Sequence, residues 1–223
     1  MPRPAAMLRL EAGRALRVLL VDDHAVVRAG YRALLESAAR PMSIVEADSG
    51  EAAYRAFTGA PFDVVLLDLT LPGISGLETL RRIRAREPAA RVLVFSIHDE
   101  ADFAGHALAC GALGYVTKSS AAEVLRRAVE TVATGRRYLS TDVSEAVSRQ
   151  RAGPAVPLAR LGPREFEVFR LLAAGRCVPE IAGLLCLSAK TVANYNTRIR
   201  AKLGVGGSAE LARLAIRHGV LEP

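Results

Sequence analysis

Five short apolar runs, each followed by a stretch whose apolar residues recur at helical spacing, fill the chain from residue 16 to about residue 139. The runs are RVLLV (17–21), SIVEA (43–47), VVLL (64–67), VLVF (92–95) and GYV (114–116). Three of them are nearly unbroken in Val and Leu, which suits parallel strands covered on both faces. The stretches at 26–35, 50–57, 76–86, 100–109 and 121–132 read as the intervening helices. Strand and helix alternating five times predict a doubly wound α/β domain on a five-stranded parallel sheet. In such a sheet the chemistry gathers outside the carboxyl ends of the strands.

The remainder has a different pattern. Residues 140–157, STDVSEAVSRQRAGPAVP, are polar and then rich in Gly and Pro, and read as a linker that is helical early on. From residue 158 the spacing is purely helical, over 163–173, 178–185, 190–203 and 208–217, which predicts a small all-α domain of four helices. Gly175 and Gly204 stand where helix C-caps fall, and Ser188 and Ser208 where N-caps fall. A length of 223 residues accommodates two such domains. Residues 158–223 carry 10 basic residues against 5 acidic ones, whereas residues 1–139 carry 18 against 16. A basic helical domain points to a polyanionic partner, nucleic acid above all. Cys110, Cys177 and Cys186 lack metal-binding spacing and sit among apolar neighbours, as expected of a reducing cytosol. Residues 1–15 hold no signal-like apolar stretch and read as an N-terminal extension. A cytoplasmic location follows as the expectation.

The titratable residues cluster at strand ends. Asp22 and Asp23 follow the first run, Asp68 the third, Ser96 the fourth, and Lys118, one of three lysines in the chain, follows the fifth. Doubly wound topology brings these five side chains to one edge. Three carboxylates close together require a cation, and hard oxygen ligands favour Mg²⁺, which also bridges to phosphoryl oxygens. A carboxylate can attack phosphorus to form an acyl phosphate. A lysine ammonium and the metal would neutralise the transferred oxygens, and the Ser96 hydroxyl would hydrogen-bond them. Taken alone, Asp22 at a strand end could equally be a helix N-cap, and Lys118 a solvated lysine.

Together the motifs LLVDDH, VVLLDLTLPGISGLE, VFSIHDE and GALGYVTKSS resemble the receiver domain of bacterial response regulators over residues 16–138. The resemblance implies that Asp68 is phosphorylated by a sensor histidine kinase. It implies that Asp23, Asp68 and the backbone carbonyl of Thr70 ligate Mg²⁺, with Asp22 acting through water, and that Ser96 and Tyr115 form a switch pair. Two enzyme readings fit less well. A haloacid-dehalogenase-type phosphatase has a second Asp two positions after its nucleophile, where this chain has Thr70. A dinucleotide-binding enzyme needs a Gly-rich turn after its first strand, where this chain has Asp22, Asp23 and His24.

Residues 158–223, with PREFEV, EIAGLLCLSAKTV and RIRAKLGV, resemble the LuxR-type helix-turn-helix of the NarL/FixJ response regulators. On the helix at 190–203, Val192, Ile199 and Leu203 face the core. Lys190, Thr191, Asn194, Thr197, Arg198 and Lys202 are the candidates to meet double-stranded DNA. Asn194 suits bidentate pairing with adenine. Many family members have a lysine at the position of Ala193 and a histidine at that of Tyr195, and the loop Gly204-Val205-Gly206-Gly207 lacks the basic residues common there. The resemblance thus implies a transcription regulator controlled at Asp68, not a metabolic enzyme. It implies residues 139–157 as linker, a homodimer at least when phosphorylated, and a contact with RNA polymerase as a further option. Dimer candidates are Val124, Leu125, Ala128, Val129 and Val132, with the core as their default place, and Leu211 and Leu214.

Overall fold

The structure is a computed structural model that describes residues 14–97, 101–152, 157–185, 187–218 and 220–221. The expected N-terminal extension lies almost wholly outside these residues, as do Cys186, Glu100 and linker residues 153–156. The first part of the chain is the expected alternation of β1 (Leu16–Val21), α1 (Ala25–Glu36), β2 (Met42–Ala47), α2 (Gly50–Gly59), β3 (Val64–Leu67), α3 (Gly76–Arg86), β4 (Val92–Ser96), α4 (Ala101–Ala109), β5 (Gly114–Thr117) and α5 (Ala122–Ala133). The sheet differs from expectation in having a sixth strand. Residues Tyr138–Leu139 form β6, which lies parallel to β5 and pairs Tyr138 with Gly114 and Leu139 with Tyr115. Two residues leave no periodic trace in a sequence, so the strand was not legible. The full strand order is β2-β1-β3-β4-β5-β6.

Strand alternation divides the core between the two sheet faces. Leu16, Val18 and Leu20 of β1 point into one layer with Leu35 of α1 and Leu125, Val129 and Val132 of α5. Leu19 and Val21 point into the other, with Leu77, Leu80 and Ile83 of α3 and Ala104 and Ala107 of α4. The apolar face of α5 is therefore core, with Val124 half-buried at its margin. Serine hydroxyls at Ser49 and Ser75 cap α2 and α3 by accepting from Ala52 N and Glu78 N. The close approach that matters here is at Gly76, where an added Cβ would lie 2.1 Å from the carbonyl oxygen of Asp68. A glycine at that point lets α3 begin hard against the end of β3.

The stretch expected as a linker is more ordered than its composition suggests. Residues Thr141–Ala152 form α6, which packs on α4 through Val143 and Val147. Asp142, in the first turn of α6, accepts a 2.7 Å bond from Thr117 Oγ1, and Ser140 N donates to the carbonyl of Tyr115. The β5 edge and the adjoining face of α4 are thus covered from within the chain. After a 3₁₀ turn at Pro157–Arg160 come α7 (Pro163–Ala173), α8 (Val178–Leu184), α9 (Ala189–Leu203) and α10 (Ser208–Arg217). Ser188 caps α9 as expected and Gly204 ends it in the left-handed conformation at φ 68°. At α10 the N-cap is Gly207, with Ser208 already helical. Helical spacing over 178–185 puts Ile181, Leu184 and Leu185 on one apolar face, and of these Ile181 on α8 and Leu185 at its C-cap are buried. Leu184 is exposed, and the buried arc extends toward Ala182 instead. Among the described residues no helix is long and apolar enough to cross a membrane.

Candidate functional site

Sheet register brings the acidic residues together. Val21 pairs with Leu67, so Asp22 and Asp68 emerge side by side, and Asp68 N donates to the Val21 carbonyl. Ser96 pairs with Thr117, and Lys118 N donates to the Ser96 carbonyl at 2.7 Å, which sets Lys118 at the same edge. Lys118 Nζ then reaches across to Asp22 Oδ2 at 2.5 Å and Asp68 Oδ2 at 2.7 Å. The second oxygen of each carboxylate is also held. Asp22 Oδ1 accepts from His24 N at 2.8 Å, and Asp68 Oδ1 from Thr70 N at 3.1 Å. Asp22, Asp68 and Ser96 are buried, whereas Asp23 is partly open to solvent. A residue that sequence reading passed over, Arg28, donates to the carbonyl of Asp22 at 2.6 Å and to Glu46, and so braces the β1–α1 turn.

Burial raises the pKa of Asp68 even against its bonds from Lys118. Burial also works against the charge on Lys118, but the bonds to Asp22 and Asp68 outweigh it and hold the ammonium above its ordinary value. Among the described residues, one ammonium bonds the carboxylates of Asp22 and Asp68, and the carboxylate of Asp23 lies beside Asp22. Ligand atoms of Asp22, Asp23 and His24 lie within 4.8 Å of one another, and Asp23 Oδ1 is enclosed with no donor aligned to it, although His24 Nδ1 lies 2.9 Å away. This oxygen-rich, electron-rich donor set fits a hard divalent cation such as Mg²⁺. Tyr115 is wholly buried beneath β6 and α6.

The helical part presents a second candidate surface on α9. Lys190, Asn194, Thr197 and Arg198 are exposed together on one face, beside Ala193. Val192 and Ile199 on the opposite face are buried. Thr191 and Lys202 turn to the flank. The Thr191 hydroxyl meets Ser188 Oγ at 2.8 Å, and Lys202 Nζ bonds Glu165 at 2.5 Å and the Arg160 carbonyl at 3.3 Å. Burial opposes the charge of Glu165, but Lys202 and Gly162 N hold its carboxyl below the usual range. Arg200 was not expected to matter. It bonds Asn196 Oδ1 and the Gly206 carbonyl, and so ties down the glycine-containing loop after α9.

Between these two places lies a contact that no local pattern announces. Phe166 of α7 is buried against Phe103 and His106 of α4, with ring centroids 4.9 and 4.4 Å apart. Burial pushes the His106 imidazole below its ordinary pKa, opposed by its bond to the Leu158 carbonyl. Glu167 of α7 accepts a short hydrogen bond from the hydroxyl of Ser75, the α3 cap, and a 2.7 Å bond from Arg164 Nη1. Burial raises the Glu167 pKa against both of these bonds.

Comparison with known proteins matches each half. The family described as "Response regulator receiver domain" matches residues 18–130, and "Bacterial regulatory proteins, luxR family" matches residues 159–215. The transcriptional activator protein ExaE of Pseudomonas putida is 41% identical over 208 residues, covering 92% of this chain and 97% of that one. The response regulator UvrY of Escherichia coli (strain K12) is 36% identical over 208 residues, covering 92% and 95%. Among solved structures, RcsB from Salmonella enterica serovar Typhimurium, bound to promoter rprA in the presence of the phosphomimetic BeF3-, aligns with a TM-score of 0.69. It is 27% identical and covers 90% of this chain and 98% of that one.

Proposed function

The chain belongs to the response regulators that join a receiver domain to a LuxR-family DNA-binding domain, and is thus a regulator of transcription; on that premise we propose that Asp68 is its phosphoacceptor and α9 its DNA-reading helix. The observation that carries this reading is Lys118 Nζ bridging Asp22 and Asp68 at 2.5 and 2.7 Å in a buried pocket at the strand ends. We take residues 16–138 as the receiver, 139–157 as the connection and 158–223 as the DNA-binding domain.

In the proposed reaction an oxygen of the Asp68 carboxylate attacks the phosphorus of a donor, the phosphohistidine of a sensor kinase or acetyl phosphate. A P–O bond to Asp68 forms as the bond from phosphorus to the donor breaks, and the donor leaves with the electron pair. Mg²⁺, held by Asp23, Asp68 and the Thr70 carbonyl with Asp22 acting through water, would supply positive charge to the transferring oxygens. Lys118 contributes a second, fixed charge to those oxygens. Ser96, at the end of β4, would hydrogen-bond the product. Arg28 and the Thr70 N–H hold the two carboxylates in place by fixing the turn at Asp22 and one oxygen of Asp68. The acyl phosphate then shifts the population of arrangements that bind DNA, with Ser96 and Tyr115 as the internal pair. Acidic turn residues speak against a pyrophosphate ligand, and Thr70 leaves no carboxylic acid where a phosphatase would protonate a leaving group.

DNA is read by the exposed face of α9. Asn194 reaches base edges with Thr197 beside it, Arg198 and Lys190 neutralise phosphates, and Thr191 and Lys202 support the helix from its margins. With Lys202 engaged by Glu165, few cations face the duplex, so two copies binding together gain what one lacks. Leu211 is core, which leaves Leu214 and the exposed Ile216 of α10 as the apolar groups available to a second copy. Asn194→Ala is expected to weaken specific binding by about 1–3 kcal/mol. Arg198→Ala is expected to lower the slope of log affinity against log salt by about 1. Gel shifts over a salt series, with circular dichroism to confirm folding, check both. Unchanged affinity in both variants would remove α9 from the interface.

A further inference from the structure

We propose that the phosphorylation state of Asp68 is passed to the DNA-binding domain through the β3–α3 loop, by the contact of Ser75 with the buried carboxylate of Glu167. The inference rests on Asp68 being the phosphoacceptor and names how its state leaves the receiver.

Ser75 lies seven residues after Asp68 and at the far end of the loop that Asp68 begins. That loop has little freedom to move independently of Asp68. Thr70 N is bonded to the Asp68 carboxylate, Gly76 N donates to the Leu69 carbonyl, and Gly76 packs against the Asp68 carbonyl. A displacement at Asp68 is therefore delivered to Ser75. On its outer side the same loop is the wall of the interface. Leu69, Thr70, Leu71, Ser75 and Leu77 line a cleft of about 60 Å³ closed from the other side by Glu167, Arg170, Leu171 and Leu185.

Ser75 and Glu167 meet inside that wall, and both are buried. The hydroxyl accepts from Glu78 N to cap α3 while donating to Glu167, and Arg164 links Glu167 onward to the carbonyl of Leu185 at the end of α8. One chain of hydrogen bonds thus runs from the start of α3 to the helix that precedes α9. A buried carboxylate depends on every partner it has, so losing the Ser75 donor is costly enough to move the seat of α7. The alternative exit, the β5 edge beside Tyr115, is covered by β6 and α6. The face of α9 with Lys190, Asn194, Thr197 and Arg198 is exposed, so the seat orients the DNA-binding domain and does not mask that face.

The test uses the full chain, Mg²⁺ and beryllofluoride as the phosphoryl mimic, and reads the ratio of duplex-DNA affinity with and without the mimic. Ser75→Asp keeps an N-cap of equal quality but sets a carboxylate against Glu167. Ser75→Asn keeps the cap and restores a donor. The wild-type ratio is expected to reach about five-fold or more. Ser75→Asp is expected to bring the ratio to one while still capturing beryllofluoride, and Ser75→Asn to keep most of the wild-type ratio. Thermal melting of each variant shows that α3 is intact. A Ser75→Asp ratio equal to wild type, or equal losses in Ser75→Asp and Ser75→Asn, would overturn the proposal. A wild type that captures no beryllofluoride would instead overturn the assignment of Asp68.

Discussion

Replacing Asp68 by alanine is expected to abolish the acid-labile phosphate that the protein acquires from acetyl phosphate and Mg²⁺. The expectation is of complete loss, because the proposed reaction assigns the attack to Asp68 alone. In the proposed site Asp22 serves the cation through water and keeps its bonds to Lys118 Nζ and His24 N. Asp23 belongs to the set that would hold the cation. The fold is expected to tolerate the change. Burial raises the Asp68 pKa, so at neutral pH its ionised form costs the folded state free energy, and removing it relieves that cost. Lys118 keeps Asp22 as partner. Labelling followed by acid and base stability assays, with mass spectrometry to place the phosphate, checks the result. A variant that still labels on an acid-labile site would show that the acceptor lies elsewhere.

The second large effect is expected at Phe166. Truncating it to alanine empties a fully buried position between α4 and α7, where the ring touches Phe103, His106 and, at 6.2 Å between centroids, Phe169. Loss of a buried Phe costs about 3–5 kcal/mol, and the edge-on contact with Phe103 accounts for about 0.5–1.5 kcal/mol of specific geometry. Because the ring belongs to the core of one domain and to its seat on the other, the variant is expected to uncouple them. Calorimetry should then resolve an early transition for the helical domain, with the α/β domain melting close to its wild-type temperature. A single transition at the wild-type midpoint would show that the seat contributes nothing to stability.

How much of this was legible in the sequence depended on the range of the interaction that decides it. The strands VVLL and VLVF, and α3 over 76–86, are set by runs and spacings of neighbouring residues, and the structure has them where the pattern puts them. The convergence of Asp22, Asp68, Ser96 and Lys118 was also legible, because doubly wound topology alone carries strand ends to one edge. What was hidden rests on small local differences or on distant partners. Gly207 rather than Ser208 caps α10, a shift of one residue that propensity does not resolve. Leu184 points outward because the buried arc of α8 runs through Ile181, Leu185 and Ala182 and leaves position 184 beyond its edge. The two-residue β6 needs β5 beside it to exist at all. Ser75 and Glu167 each have an ordinary local role, as a cap and as a polar residue on a helix, and meet across 92 positions. In the structure that meeting leaves its mark on α7. Residues 165–169 are all buried, and a helix that hides five consecutive residues has a partner on more than one face.

The account as a whole holds that the state of Asp68 governs how α9 meets DNA. Its most direct measurement is the affinity of the intact protein for duplex DNA carrying its binding site, in Mg²⁺ with and without beryllofluoride, for wild type and Asp68→Ala side by side. The account predicts that the mimic tightens wild-type binding by about five-fold or more and leaves Asp68→Ala unchanged. Equal wild-type affinity in the two conditions, or an equal gain in Asp68→Ala, would contradict it.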